Sequence, residues 1–273
     1  MGEETSWWKH SDALAFVEQE LRLIRTNIHD KEKNVCESDI PIFDKVKLSV
    51  DIITQAFDKY GYLALGYNGG KDSIVLVNLV IMSLIHQAKR NRAGEHSQCT
   101  PHDVEIAFQQ LREKVLCFHF LSSDSFVEMD EFIQSSSKLY NVQVMLVDGT
   151  KGYKCALEEI VRQYPQFKGV LMGTRRIDPH GENMRYFEPT TKGWPDMMRV
   201  SPVLEWDYCD IWHLLRGLSI PYCSLYDSGY TSLGCTKDTL PNPLLKKDNG
   251  EYTPAYTLLD GSMERAGRKG NQI

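Results

Sequence analysis

The stretch that carries the most chemistry is Asn-Gly-Gly-Lys-Asp-Ser at positions 68–73, which lies between an apolar run and a long helical pattern. Its two glycines, Gly69 and Gly70, let the backbone approach a ligand closely and adopt positive φ. Free N–H groups at the start of the following helix attract an anion, and Lys71 and Ser73 add a charge and a hydroxyl donor. The pattern predicts a phosphate site, and a tight strand-to-helix turn is the alternative.

This loop differs from the common P-loop. The pattern G-x-x-x-x-G-K-[ST] requires glycine where Leu65 stands and Ser or Thr where Asp72 stands. A carboxylate beside phosphates is useful when it contacts Mg²⁺ or fixes a donor. We therefore expect Asp72 to hold a divalent metal or to orient a neighbouring group.

A second polar loop, residues 172–179, follows another apolar strand pattern. Ligands of an open parallel sheet bind beyond the carboxyl ends of the strands, so this loop should face residues 68–73 across one crevice. Arg175 or Arg176 could grip a phosphate with two hydrogen bonds, and Asp178 could hold a ribose hydroxyl or a metal. The alternative is a surface loop with an Arg–Asp ion pair.

Alternating strand and helix patterns position both loops. Four apolar runs predict strands, at 62–67, 114–121, 142–147 and 169–173. Helical patterns lie between them, at 73–90, 126–140 and 153–164. The polar segment 89–103 is predicted to be a loop. This alternation indicates an α/β fold, a Rossmann-like open and mostly parallel sheet with helices on both faces.

The two ends of the chain have a different pattern. Apolar residues at spacings of three and four predict a helix over 14–28 and another that starts after Pro41 and ends at Gly61. The last hundred residues predict loops with one longer helix at 208–218. We expect a single domain made of a helical N-terminal segment, an α/β core and a loop-rich C-terminal region, at 1–60, 61–174 and 175–273.

Composition indicates an ordinary globular protein. The chain has 273 residues, 42% of them hydrophobic and 25% charged, and a net charge of -6, so no general attraction to nucleic acid is expected. No signal-peptide pattern is present, and we expect no stretch to approach the ~18 apolar residues of a membrane span. We expect a cytoplasmic monomer without nucleic-acid or membrane partners. The seven cysteines include no C-x-x-C pair, which argues against zinc, iron–sulfur and thioredoxin-type sites.

A family resemblance rests on several motifs. Residues 69–73 resemble the S-G-G-K-D-S pyrophosphate loop of the adenine nucleotide α-hydrolase-like superfamily, which includes the PAPS reductase-like enzymes. Tyr67 and Asn68 resemble the variant of that loop in eukaryotic, fungal-type FAD synthetases, also called FMN adenylyltransferases. The resemblance is strongest at 193–206, continues through Pro-Asn-Pro at 241–243, and ends in Glu-Arg-Ala-Gly-Arg at 264–268.

The resemblance implies a nucleotidyltransferase that moves AMP from ATP to FMN with Mg²⁺ and releases FAD and pyrophosphate. It implies catalytic roles for Asn68, Asp72, Asp178, Arg265 and Arg268. It implies ATP contacts from Tyr67, Gly69, Gly70, Lys71, Ser73, Gly173 and Arg175. It implies FMN contacts from Asp178, Trp194, Asp196 and Arg199, with Asp72 as the metal ligand and the C-terminal region as the flavin-binding part.

Alternatives stay open on the sequence alone. Trp194 offers a flat wall for a flavin ring, but a lone tryptophan is more often a core residue, as we expect for Trp206 and Trp212. Arg265 and Arg268 would otherwise belong to a solvated tail. A sulfur-transfer or sulfonucleotide enzyme could share this fold, and so could a flavin- or nucleotide-binding module without catalysis.

Overall fold

Strands and helices alternate along the chain in the computed structural model, which describes residues 41–93, 99–149 and 152–269. The helix predicted at 14–28 lies outside these residues. The helices are α1 (Ile42–Tyr60), α2 (Lys71–Ala93), α3 (Pro101–Lys114), α4 (Val127–Tyr140), α5 (Tyr153–Gln163) and α6 (Tyr208–Gly217). The strands are β1 (Leu63–Gly66), β2 (Val115–Leu121), β3 (Val144–Asp148), β4 (Gly169–Leu171), β5 (Phe187–Pro189) and β6 (Met198–Val200).

The six strands form one sheet in the order β3-β2-β1-β4-β6-β5. β5 pairs antiparallel with β6, and the other neighbouring strands pair in parallel. This confirms the predicted mostly parallel sheet. The chain moves outward from β1 to β2 and β3 and then returns to place β4 on the other side of β1. The crevice beyond the carboxyl ends of β1 and β4 is therefore the switch point at which such sheets bind ligands.

Successive residues of β1 point into different layers of the protein. Leu63 and Leu65 belong to the larger apolar core, which also receives residues of α1, α2, α3, α4 and α6. Ala64 belongs to the smaller core, which it shares with residues of α5. Helices therefore cover both faces, as predicted, and α5 is the helix that the described residues place on the second face. Trp206 and Trp212 are buried in the larger core, also as predicted.

The central helix α2 corrects one expectation. By length and hydropathy its stretch from Lys71 to Arg92 could cross a membrane, yet 89% of its most apolar window is buried inside the protein. A helix that is apolar on all sides is typical of a core position as well as of a membrane. Packing of α1 and α3 against α2 accounts for the apolar character here.

Two parts of the secondary structure were wrongly or incompletely predicted. The segment 89–103 is a loop only in part, because α2 continues to Ala93 and α3 begins at Pro101. The start of α3 has a recognisable signal, a proline in the first turn and a capping box between Thr100 and Asp103. The strands β5 and β6 were missed because each has three residues and lacks the apolar run that marks the equally short β4.

Asp103 joins the start of α3 to the end of α2. Its carboxylate accepts hydrogen bonds from the backbone N–H of Thr100 at 2.7 Å and from Nε and Nη2 of Arg92 at 2.8 and 3.0 Å. The hydrogen bond from Arg92 outweighs burial and lowers the pKa of Asp103 to about 2. The carboxylate therefore stabilises the fold in its ionised form.

We predict that Asp103→Ala lowers the free energy of unfolding by about 2 kcal/mol at neutral pH, because a helix cap and a charge-assisted hydrogen bond are lost. The folded pKa lies below the ordinary value of about 3.9, so this stabilisation is complete above that value and disappears as the pH falls toward the folded pKa. Urea unfolding across this range measures the difference. Glu105→Ala, at an exposed position of the same helix, is the control, and an equal loss in that variant would contradict the prediction.

Candidate active site

A cleft of about 350 Å³ opens at the carboxyl ends of β1 and β4. The loop after β1 with the first turn of α2 forms one wall, and the loop after β4 faces it. Segments from the C-terminal region close the third side. Nine residues predicted for the site line this cleft: Asn68, Gly70, Lys71, Asp72, Ser73, Gly173, Arg175, Asp178 and Arg265.

The loop after β1 is held closed by hydrogen bonds within the protein. The Gly70 N–H donates to Oδ1 of Asn68 at 3.0 Å, and the Lys71 N–H donates to the Tyr226 hydroxyl at 2.8 Å. The Ser73 hydroxyl donates to the Gly70 carbonyl oxygen at 2.8 Å. The expectation of free donors is therefore wrong for these three groups, because each already has an acceptor within the protein. The Asn68 bond uses the amide oxygen and leaves the amide nitrogen for a ligand.

Two of the predicted ATP contacts support this loop from behind. Tyr67 is fully buried, and its hydroxyl donates to Ser136 at 2.7 Å. Gly69 has a φ of 73°, and a Cβ on it would lie 3.0 Å from Ile133. Neither residue lines the cleft, so both shape the loop that the ligand would meet.

Buried charges join the loops on the two sides of the cleft. Lys71 forms ion pairs with Glu264 and with Asp72, whose Oδ2 lies 3.0 Å from the Lys71 Nζ. Nη2 of Arg175 donates to Glu264 at 2.7 Å. Asp178 accepts from the backbone N–H of Arg175 at 2.8 Å and from its Nη2 at 3.2 Å. The Arg–Asp ion pair of the alternative interpretation therefore exists, but it lies beside the cleft, with Arg175 buried and Asp178 partly buried, instead of on a free surface.

The charges in this cluster hold one another ionised. Burial opposes the charge on Asp72, but Lys71 and Arg175 lower its pKa below the ordinary value. Burial likewise opposes the charge on Lys71, and Asp72 and Glu264 raise its pKa above the ordinary value. Oδ1 of Asp72 is buried, accepts no hydrogen bond from the described residues, and lies 3.5 Å from Nε of Arg175. That oxygen is the candidate ligand for a metal ion.

Positive and negative side chains are equal in number among the described residues that line the cleft. The cations are Lys71, Arg175 and Arg265. The carboxylates are Asp72, Asp178 and Glu264. The described lining therefore has no net formal charge with which to neutralise a polyphosphate.

The structure distinguishes two arginines that the sequence leaves equivalent. Arg176 donates from Nε to Glu205 and from Nη1 to the carbonyl oxygens of Glu182 and Met184, at 2.8 and 3.3 Å for the carbonyls. It therefore braces the loop after β4. Arg175 is the one that faces the cleft.

The three predicted flavin contacts from the β5–β6 region lie outside the cleft lining. β6 runs parallel to β4 and begins level with it. Trp194 and Asp196 precede β6, so they lie toward the amino ends of these strands, whereas the cleft is at the carboxyl ends. Arg199, on β6, forms an ion pair with Glu188 at 3.3 Å. Trp194 is 41% exposed, so the core alternative is wrong for this residue, and the structure does not bring these three residues to the cleft.

The C-terminal arginines lie side by side. A short 3-10 helix, Gly261–Arg265, carries Arg265 into the cleft. The Arg268 guanidinium packs on Gly234, where a Cβ would lie 1.9 Å from Nη1. Burial and the neighbouring charge of Arg265 lower the pKa of Arg268 below its ordinary value. These packed arginines are not a solvated tail, and two like charges held together favour an anion between them.

The sequence analysis missed two members of the site, Tyr226 and Glu264. Glu264 is the first residue of the Glu-Arg-Ala-Gly-Arg motif and directly precedes Arg265, and Tyr226 lies in the stretch over which the resemblance continues from 206 to 241. Their partner Lys71 lies 155 and 193 positions away along the chain. No local spacing rule links residues so far apart, so position within the motifs was the available signal.

Comparison with known proteins agrees with this arrangement. The family model of the phosphoadenosine phosphosulfate reductase domain matches residues 62–241. A probable FAD synthase of Schizosaccharomyces pombe is 38% identical over 94% of this chain and 89% of its own length. A probable FAD synthase of Caenorhabditis elegans is 35% identical over 87% of this chain, which spans 43% of that longer protein.

A solved structure is also similar over nearly the whole chain. The crystal structure of Candida glabrata FMN adenylyltransferase in complex with FAD and inorganic pyrophosphate superposes with a TM-score of 0.70 at 25% identity. The match covers 94% of this chain and 99% of that one. The architecture described above is therefore that of a known nucleotidyltransferase.

The sheet, its strand-end cleft and the family match define a phosphoadenosine phosphosulfate reductase-type α/β protein. Within that class the chain belongs to the FAD synthase family, and it is an enzyme of the nucleotidyltransferase kind. The resemblance identified from the motifs is confirmed.

We predict that Arg176→Ala loosens the loop after β4. Loss of its bonds to Glu205 and to two carbonyl oxygens should increase local opening, so that subtilisin cleaves residues 177–184 at least about threefold faster. Mass spectrometry of the first fragments locates the cut. Arg185→Ala, at an exposed position beside the loop, should leave cleavage unchanged. Equal cleavage rates in the two variants would show that Arg176 does not brace the loop.

Proposed function

We propose that this chain catalyses the transfer of AMP from ATP to the phosphate of FMN, with release of pyrophosphate and formation of FAD. The observation that carries the proposal is the cleft in which the glycine loop after β1 faces Arg265. It is supported by relatives named FAD synthase and by the FMN adenylyltransferase structure with FAD and pyrophosphate.

The reaction needs alignment more than it needs acid or base. A phosphate monoester has a second pKa of about 6, so the FMN phosphate is largely a dianion at neutral pH and is already a nucleophile. One of its oxygens attacks the α-phosphorus of ATP, and the bond from that phosphorus to the bridging oxygen breaks. The electron pair leaves with pyrophosphate. The protein must hold two polyanions in line and stabilise the charge that moves to the leaving group.

The described residues suit these tasks. The amide nitrogen of Asn68 would donate to the α-phosphate, since its oxygen is already used by Gly70. Gly69 and Gly70 would give the triphosphate room beside the backbone. Arg265, with Arg268 beside it, would stabilise the charge on the phosphoryl oxygens. Asp178 would hold the guanidinium of Arg175 in place at the cleft.

Mg²⁺ fits the site as a companion of the triphosphate. This ion is commonly bound by one or two carboxylates together with substrate phosphates and water. Oδ1 of Asp72 accepts no hydrogen bond from the residues that the structure describes, and it would be the protein ligand. The bound ion would supply the positive charge that the balanced lining lacks.

The direct experiment is incubation of the pure protein with ATP, FMN and MgCl₂. We expect FAD and pyrophosphate in equal amounts, and EDTA should stop the reaction until excess Mg²⁺ is added. Chromatography with flavin fluorescence measures FAD, and a coupled assay measures pyrophosphate. Unchanged FMN in the presence of folded protein and several divalent metals would refute the proposal. Tight FAD binding without pyrophosphate release would support a binding module instead.

The site residues can be tested separately. We predict that Asn68→Ala and Arg268→Ala each lower kcat/KM. The decrease should correspond to a loss of about 2–4 kcal/mol of transition-state stabilisation, by analogy with the removal of one donor from an oxyanion site. Steady-state kinetics with ATP and FMN measures the loss. Arg162→Ala, which removes an exposed arginine of α5, is the matched control. Rates near that of the unchanged protein in either site variant would remove that residue from the catalytic group.

The sulfur-transfer alternative receives no support from the site. Such chemistry requires a reactive cysteine beside the nucleotide, and the described lining of the cleft contains none. Cys223 is fully buried, and burial raises the pKa of its thiol. The Cys235 thiol donates to Asp238 at 2.9 Å.

A further inference from the structure

We propose that Glu264 is the residue that positions Arg265 in the cleft, and that Lys71 serves as the counter-ion of Glu264 instead of as a phosphate ligand. This assignment rests on the proposed function, because it concerns the same cleft. It differs from what the Gly-Gly-Lys-Asp-Ser motif suggests, since a lysine in a phosphate loop is expected to contact phosphate.

The donors of Lys71 are already used within the protein. Its side chain is 2% exposed. An ammonium group has three N–H bonds. It pairs with Glu264 and with Asp72, and its Nζ lies 5.6 Å from the centre of the Tyr208 ring, within the range of a cation–π contact. A phosphate could reach this group only by displacing a carboxylate, and the burial of that carboxylate would then lack compensation.

Glu264 contacts both of the loops that face each other across the cleft. One carboxylate oxygen accepts from Lys71 at the start of α2, and the other accepts from Arg175 in the loop after β4 at 2.7 Å. The side chain is 9% exposed. Since each oxygen has a different cationic partner, the carboxylate is fixed in both position and orientation.

The backbone around Glu264 is fixed from the opposite side. Its carbonyl oxygen accepts from the Thr231 hydroxyl at 2.6 Å. The buried Asn242 donates to Thr231 at 3.0 Å and to the carbonyl oxygen of Met263 at 2.9 Å. With side chain and backbone both held, the next residue, Arg265, can enter the cleft in one direction. Arg265 itself forms no ion pair with the described carboxylates that would hold it there.

A double-mutant cycle tests whether Glu264 acts through Arg265. We expect Glu264→Gln to lower kcat for FAD formation by about tenfold or more while the KM for ATP changes less than about threefold, because the misplaced group acts in the transition state. In an Arg265→Ala background the same change should lower kcat by less than about twofold. Glu264→Asp, which keeps the charge, should restore part of the rate. Losses that multiply in the double variant would overturn the proposal.

Lys71→Met separates the counter-ion role from phosphate binding. We expect it to lower kcat as Glu264→Gln does, and to leave the Kd for a non-hydrolysable ATP analogue with Mg²⁺ within about threefold of the unchanged value. A lysine that binds phosphate directly would instead weaken the analogue by tenfold or more. That second result would overturn the assignment. Glu251→Gln, an exposed carboxylate of the C-terminal region, is the control for both variants.

Hydrogen exchange tests the positioning role of Glu264 without a measurement of catalysis. In Glu264→Gln, hydrogen exchange measured by mass spectrometry should increase in peptides that contain residues 261–268 and stay unchanged in α5. Unchanged exchange at 261–268 would refute the positioning role even if FAD is formed. Absence of FAD formation by the unchanged protein, with the expected exchange pattern, would refute the proposed function alone. If Glu264→Gln does not fold, Glu264→Asp carries both measurements.

Discussion

The cleft depends on one buried ion cluster, in which Lys71 and Arg175 share the carboxylate of Glu264. Removing charges from water is costly, and it is compensated only when every charge finds a well-placed opposite partner. The three residues come from the start of the central helix, the loop after β4 and the C-terminal segment. The requirement for mutual neutralisation therefore fixes these three segments relative to one another, and the neighbouring groups take their positions from them.

This arrangement also explains how a cleft without net formal charge can serve two polyanions. In the function proposed above, Lys71 and Arg175 largely hold the walls in place, so the charge available to a ligand would come from Arg265, Arg268 and a metal ion beside Asp72. A cation supplied with the substrate, and an arginine held at the end of a short helix, would act where charge develops in the reaction. A reaction whose nucleophile is already ionised requires this kind of alignment.

The fold could be predicted from local patterns wherever elements were long. The strands β1, β2 and β3 and the helices α2, α4 and α5 each have apolar runs or periodic stripes that local packing requires. Strands β5 and β6 have three residues each, and their pairing with β4 and with each other is a property of the sheet and not of their own composition. Helix α3 was missed although its cap was visible, because a polar sequence around a proline is also typical of a loop.

The sequence by itself determined the chemistry of the two strand-end loops, the pair of C-terminal arginines and the family, since these depend on residue types at short spacing. Tertiary structure alone decided that Arg175 faces the cleft while Arg176 braces a loop. It also placed Trp194 and Asp196 toward the amino ends of the strands, away from the cleft. It also decided that Glu264 and Tyr226 meet the phosphate loop. The physical reason is distance along the chain. Lys71 contacts Tyr226 and Glu264, which lie 155 and 193 positions further along the sequence. Such contacts arise from the order of the strands in the sheet, and no local sequence pattern contains that order.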